Sequence, residues 1–488
     1  MSMKRTAVVS ALWAAGESWS LRGVSLIVFL ILARLVDPAA FGLVALAAVY
    51  VTTVQALSDQ GLATALIQRE HLDEAHKDSA FWANLAVGAL LALATLAIAE
   101  PAAAFYKEPR LASILRWYAL WPLLGSLSVV QQALLRRGLR FRELALRQLV
   151  GAIAGGVAGI ALAYAGLGVW ALVAQQLVNQ AVALVVLWSV AQWRPRFSFS
   201  LTHFRHLFGF GFNVLAANVV RAIGFQADRL VLGYVLGTTE LGYYSVAQRV
   251  LAIVTDFVAG SAERIVVPLF SRIQGDRERV NRGLMTAQRV LTLITMPAFI
   301  GLAATAPVLM PVVLGSQWQA SVPSTQILAF ASLGFCLSFF FGHVLTALGR
   351  PGLRLGIVLA QAIGQVAFSL IGVRFGLVGL CLGVVSNQAL FYLVELLFLQ
   401  RRSGFSLSTY LGEGLLPLAA SLLMAAAVVL LGRAMSTQRP VVQLVAEIVL
   451  GAVIYGILLL IFGRQRLKEP LEMARGLRTR QPQAEEGG

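Results

Sequence analysis

The sequence predicts an all-α integral membrane protein with about 14 transmembrane helices and almost nothing outside the bilayer. Three observations predict it. The 488 residues are 58% hydrophobic and only 13% charged, against about 25% charged in soluble domains. Apolar runs long enough to cross a hydrocarbon layer of about 30 Å recur from one end of the chain to the other. No polar stretch approaches the roughly 100 residues of a typical soluble domain, which excludes catalysis in a separate globular head.

The spans fall near 12–33, 41–67, 80–99, 112–135, 145–165, 169–191, 207–236, 242–271, 290–310, 324–348, 355–373, 377–399, 412–432 and 441–463. Lys4 and Arg5 precede the first, and no small-residue cleavage site follows it. It therefore reads as an anchor and not as a cleaved signal peptide. Gly151, Gly155 and Gly159 make a small-residue stripe on the fifth span, a pattern that packs helices closely. Pro268, Pro297 and Pro307 interrupt the eighth and ninth spans, where proline is tolerated and can kink a membrane helix.

Loop charge orients the spans. With the N-terminus inside, the inner segments carry Arg136, Arg137, Arg140, Arg142, Arg194, Arg196, Arg205, Arg272, Arg277, Arg279, Arg282, Arg401, Arg402 and the tail cluster from Arg464 to Arg480. The outer loops hold Arg34, Lys107, Arg110, Arg374, Arg433 and Arg439. The excess is roughly fourfold, a positive-inside signal that places both termini on the cytoplasmic side. The net charge of +16 follows from this loop bias, so it does not point to nucleic acid. Cys336 and Cys381 both lie in apolar runs and fit neither a disulfide framework nor a metal site.

The two halves resemble each other. The stretch from Ala33 through Asp37-Pro38 to Phe41-Gly42 aligns with the stretch from Gly233 through Gly237-Thr238 to Leu241-Gly242. Ala133 to Arg140 aligns with Ala347 to Arg354, and Gly168 with its following Asn179-Gln180 aligns with Gly376 and Asn387-Gln388. The offsets are all about 200 to 214 residues, and matched elements share one orientation, which implies a parallel repeat about an axis along the membrane normal. The expected organisation is an N-lobe over 1–206, a C-lobe over 207–411, two extra helices over 412–463 and a basic cytoplasmic tail over 464–488 beside anionic lipid head groups. Two six-helix lobes around a central cavity are the architecture of alternating-access transporters.

Ionisable groups in a bilayer core are expensive and mark candidate sites. Glu17 and Arg22 lie in the first span, Asp59 in the second, Arg221, Asp228 and Arg229 in the seventh, and Arg249, Asp256, Glu263 and Arg264 in the eighth. Arg249, Asp256 and Glu263 are seven apart and share a stripe. Folding spans seven and eight about Thr239 brings Asp228 level with Arg249, and Arg221 level with Asp256. Two readings stand side by side. These are structural salt bridges within the hairpin, or Arg22, Arg221, Arg229 and Arg249 face an anionic substrate across a cationic cavity. Folding about Pro38 sets Glu17 level with Asp59, where two carboxylates in low dielectric would raise one pKa and make a proton-coupling site. His343, near the inner end of the tenth span, reads as a packed or interfacial residue. No P-loop, H-E-x-x-H, G-x-S-x-G or cysteine–histidine metal spacing occurs, so no cofactor is expected and any driving force is an ion gradient, of H+ or Na+, or downstream consumption.

Several segments together carry a family resemblance: Leu35 to Gly42, Leu57-Ser58-Asp59-Gln60-Gly61-Leu62, Arg136 to Arg142, Gly166 to Leu172, Asp228 to Gly233, and Leu241-Gly242-Tyr243-Tyr244-Ser245. In this order they resemble the polysaccharide-transport (Wzx-type) flippases of the multidrug/oligosaccharidyl-lipid/polysaccharide exporter superfamily, closest to the exopolysaccharide and colanic-acid branch. The resemblance implies a substrate: an undecaprenyl-pyrophosphate-linked oligosaccharide repeat unit turned from the cytoplasmic to the periplasmic leaflet for exopolysaccharide or lipopolysaccharide synthesis. It also implies polymerase and export machinery as partners. The rivals are a lipid II flippase, a cation-coupled multidrug antiporter, and a membrane polysaccharide polymerase or ligase. An antiporter for cations would need a more acidic lumen, and a polymerase a large periplasmic loop that this chain lacks.

Overall fold

The computed structural model describes residues 3–58, 66–67, 72–198, 200, 224, 226–271, 277–338, 341, 351–403 and 407–463. Asp59, Arg221, His343 and the tail 464–488 lie outside them, as do the side chains of Glu17, Glu263 and Arg264. The described chain is all-α and multi-spanning. Ten stretches among the described residues are long and apolar enough to cross a membrane, against the fourteen spans expected from the sequence. The chain falls into two compact units, Met1–Val246 with Gln365–Leu380, and Ala247–Gly364 with Cys381–Gly488.

The first unit opens with α1 (Met3–Leu35) and α2 (Pro38–Ser58). Proline suits the first helical position because its missing N–H has no intrahelical partner to lose, and the Asp37 carboxylate accepts the backbone N–H of Ala40 at 2.9 Å. Next come α3 (Glu74–Phe105) and a span broken into α4 (Arg110–Tyr118), α5 (Leu120–Ser126) and α6 (Val129–Arg137). The unbroken fourth span that hydropathy predicts is thus a chain of three short helices. Pro122 has no N–H to give the Tyr118 carbonyl. At the second break the Ser128 N–H reaches Gly125 O instead of continuing the α pattern, and the Ser128 hydroxyl donates to the same carbonyl at 2.7 Å. The Leu127 carbonyl, released there, accepts the Trp188 indole N–H at 3.0 Å.

Helices α7 (Phe141–Tyr164) and α8 (Val169–Val190) follow. They pack closely through the predicted glycine stripe. A β-carbon on Gly151 would lie 2.7 Å from the Asn179 carbonyl, and one on Gly159 2.7 Å from Gln175. After α8 the chain is clasped to the start of α3. Buried Asp78 accepts the Arg196 N–H at 3.0 Å and the Ser198 hydroxyl at 2.8 Å. Arg194 donates to the carbonyls of Trp188 and Ala191, both at 2.7 Å, and so caps the C-terminus of α8.

Then come α9 (Ala227–Val235) and α10 (Thr238–Ser271), joined at Gly237, whose φ of 85° is a backbone state open mainly to glycine. Here the two predicted outer turns touch. A β-carbon on Gly42 would overlap the carbonyl oxygen of Thr238, and one on Gly242 would overlap that of Pro38.

The second unit is built on α11 (Arg277–Leu314), which contains Pro297, Pro307 and Pro311. It packs against α12 (Val322–Ser338), and against α15 (Leu407–Ala434) and α16 (Pro440–Phe462). In sequence, α13 (Pro351–Gly372) and α14 (Gly376–Ser403) lie between α12 and α15, and their adjoining ends, Gln365–Leu380, belong to the first unit. Arg289 of α11 and Glu413 of α15 form a two-pronged ion pair, Nε to Oε2 and Nη2 to Oε1, both at 2.9 Å. Gly364 of α13 lies against the Asn387 side chain of α14, as Gly151 and Gly155 of α7 lie against Asn179 of α8. Gly168 and Gly376, matched in the sequence, both take positive φ, 51° and 76°.

Candidate functional site

The charged residues singled out in the sequence occupy different surroundings. Asp228, in the first turn of α9, is buried. Its carboxylate accepts the hydroxyl of fully buried Tyr244, on α10, and the backbone N–H of Arg229 at 2.9 Å. The hydroxyl that reaches Asp228 thus comes from a residue five positions before Arg249. Arg229 and, on α1, Arg22 are half-buried. Arg249 is exposed and forms no ion pair with another described residue, and Asp256, seven residues on along the same face of α10, is exposed too. Arg221 and Asp59 lie outside the described residues, as does the side chain of Glu17, so the proposed meeting of Glu17 with Asp59 is not described.

The first unit also holds a cavity of about 290 Å3 between α2, the broken span and α8. Its wall carries Gln55, Trp121, Ser128, Gln132, Arg136 and Gln180, and among the described residues that line it there is no carboxylate. Broken-helix geometry makes it. With α5 and α6 offset at Ser128, Gln132 donates to Ser128 Oγ at 2.7 Å, and one side of the span opens toward α2 and α8. Sequence reading missed this cavity, although Pro122, Gly125 and Ser126 within an apolar run were the available signal for a break. It also missed Arg289 and Glu413. Among the described residues no group of three or more histidine, cysteine or acidic side chains could hold a metal ion.

A bundle with ten membrane-length apolar stretches among the described residues and ionisable groups on its hairpins is that of a multi-pass membrane protein. The comparisons make this particular. Residues 31–323 match the model of the family described as polysaccharide biosynthesis protein. The succinoglycan biosynthesis transport protein ExoT of Rhizobium meliloti (strain 1021) is 31% identical over 98% of this chain and 96% of that protein. The lipopolysaccharide biosynthesis protein WzxC of Escherichia coli (strain K12) is 25% identical over 75% of this chain and 78% of its own length. The chain belongs to this polysaccharide biosynthesis family and is a multi-pass membrane protein. Its fold agrees. A lipid II flippase, MurJ, in an inward closed conformation superposes with a TM-score of 0.76 at 14% identity, over 94% of this chain and 100% of that one. An inward-facing multidrug resistance transporter of the MATE family superposes with a TM-score of 0.58 at 16% identity, over 79% of this chain and 94% of that one.

Proposed function

We propose that the chain turns an undecaprenyl-pyrophosphate-linked oligosaccharide repeat unit from the cytoplasmic to the periplasmic leaflet by alternating access, supplying exopolysaccharide or lipopolysaccharide synthesis. The observation that carries this reading is the match along nearly the whole chain to a succinoglycan transport protein. The working architecture is fourteen spans with both termini cytoplasmic. Lobes over 1–206 and 207–411 form a parallel repeat, with residues 412–463 adding two helices. Three matched positions support the repeat: the reciprocal Gly42 and Gly242 contacts, the positive φ of Gly168 and Gly376, and the glycine-to-asparagine packing at Asn179 and Asn387.

The mechanism follows from charge. A pyrophosphate crossing a bilayer needs fixed cations and a water-filled path, since an ion in hydrocarbon is heavily penalised. Arg249 and Asp256 are exposed on one face of α10, and exposed charge at membrane depth is tolerated where that face meets water. Arg249, with Arg22, Arg221 and Arg229, supplies the cationic wall for the phosphates. Buried Asp228 holds the hairpin through Tyr244. Glu17 and Asp59 form the coupling site, for H+ or Na+. A polymerase and the export machinery consume the product on the outer face.

The test is transport in proteoliposomes of a fluorescent pyrophosphate-linked oligosaccharide lipid, with a cationic dye in parallel. Protection of the anionic lipid alone supports the reading. Movement of the dye alone would replace it with an antiporter.

A further inference from the structure

We propose that the cavity of the first unit is a saccharide subsite, which grips one or two sugar residues of the lipid-linked unit and prefers an acidic sugar. This deepens the flippase reading and rests on it. The volume of about 290 Å3 falls just below the roughly 300–1,000 Å3 usual for small-ligand sites, which suits a sugar ring or two and not a whole repeat unit.

The lining has the chemistry of sugar recognition. Trp121 offers an aromatic face, on which the C–H face of a pyranose stacks. Gln55, Gln132 and Gln180 each carry a carbonyl acceptor and two N–H donors, the pattern that meets vicinal hydroxyls. Gln55 and Gln180 make no side-chain hydrogen bond to another described residue, so both amides are available to a ligand. Gln132 is held in place by Ser128 Oγ at 2.7 Å, and Ser128 is anchored in turn on the Gly125 carbonyl.

Charge sets the preference. Among the described residues of the wall Arg136 is the one cationic side chain and is exposed, and none is a carboxylate that would neutralise it. A single guanidinium matches one carboxylate in a two-pronged fork. A pyrophosphate carries more charge and more acceptor oxygens than one guanidinium can satisfy, so the phosphates belong elsewhere. Positive-inside topology puts Arg136 at the inner membrane face, where a substrate made in the cytoplasm would be met first.

The experiment uses the full chain in proteoliposomes and three probes. They are undecaprenyl pyrophosphate bearing a disaccharide that ends in glucuronic acid, the same lipid ending in glucose, and the sugarless carrier. Wild type should move the acidic lipid faster than the neutral one. Arg136→Gln should lower that acidic-to-neutral ratio by about tenfold, the worth of one charged hydrogen bond, with Arg136→Lys restoring part of it. Trp121→Leu should raise the apparent KM for both sugar lipids relative to the sugarless carrier, with kcat ratios little altered. Gel filtration and thermal unfolding of each variant would identify one that misfolds, and Gln180→Leu then replaces it with the same expected KM change. Wild-type ratios in well-folded Arg136→Gln and Gln180→Leu would overturn the subsite and leave the flippase standing. A fall in sugarless-carrier transport as large as that of the sugar lipids would also overturn it. Failure of wild type to move any of the three lipids would overturn the flippase reading itself.

Discussion

Gly42 and Gly242 pack in a reciprocal contact, each against the first residue of the other's helix. A β-carbon on Gly42 would overlap Thr238 O, and one on Gly242 would overlap Pro38 O. Both partners are offset by 200 residues in sequence, and each glycine meets the residue that the other's own helix begins with, a reciprocity like that of an isologous interface.

Alanine at either glycine must push the two helix ends apart. Overpacking of this kind costs about 1–3 kcal/mol, against roughly 1 kcal/mol of helix propensity gained. Gly42→Ala and Gly242→Ala should therefore each lower the thermal stability of the detergent-solubilised protein. Once one substitution has parted the turns the second has less to break, so the double variant should cost less than the sum. Strict additivity would mean that the two glycines act separately. Transport should fall in both variants if closure of this turn-to-turn contact is part of the cycle.

A second prediction concerns Asp228. With the carboxylate buried and receiving the Tyr244 hydroxyl, Tyr244→Phe removes a donor from a group that cannot turn to water. The expected loss is about 1–3 kcal/mol. Asp228→Asn should be partly compensated in the Tyr244→Phe background, because the two changes remove one interaction. Thermal unfolding of the four proteins of the cycle measures the coupling, and a coupling near zero would assign Asp228 to other partners.

The spans, the Asp37-Pro38 turn and the glycine stripe on α7 were legible because each depends on residues close together in sequence. The two turns that touch stood out because their residues match when the chain is compared with itself. What stayed hidden depends on contacts between helices. Hairpin geometry set Asp228 level with Arg249, a matter of depth, whereas the hydroxyl that binds it depends on azimuth and comes from Tyr244. The break at Ser128 is small on the scale of a hydropathy window, yet it shapes the cavity. Arg289 and Glu413 are 124 residues apart, and nothing local marks them as partners.

Arg289 and Glu413 carry a third prediction. Both are mostly buried, with side-chain exposures of 19% and 12%. Truncating one leaves the other's charge without its two-pronged partner, and a loss of about 3 kcal/mol is expected for such a pair. Arg289→Ala and Glu413→Ala should each loosen α15 from α11, seen as faster proteolysis and a lower unfolding temperature. The exchange Arg289→Glu with Glu413→Arg should recover part of the loss. Should the exchanged protein be no better than either single variant, geometry and not charge holds the helices together.

The last prediction separates the two readings of the intramembrane arginines. As a structural tie, Arg249 would be paired, and its loss would lower stability before it lowered transport. It is instead exposed and without an ion pair among the described residues, so removing it should cost little stability. Surface changes away from packing usually stay within about 0.5 kcal/mol. As a phosphate contact, its loss should slow transport by about tenfold or more, the value of one charge-assisted hydrogen bond. Arg249→Ala and Arg221→Ala should therefore insert and fold normally while moving less of a pyrophosphate-linked oligosaccharide lipid, with Arg249→Lys intermediate because it keeps the charge and loses the planar fork. The measurements are membrane yield, unfolding temperature and lipid protection in proteoliposomes. Normal transport by both alanine variants would return these arginines to a structural role, whereas transport lost at unchanged stability places them on the substrate path.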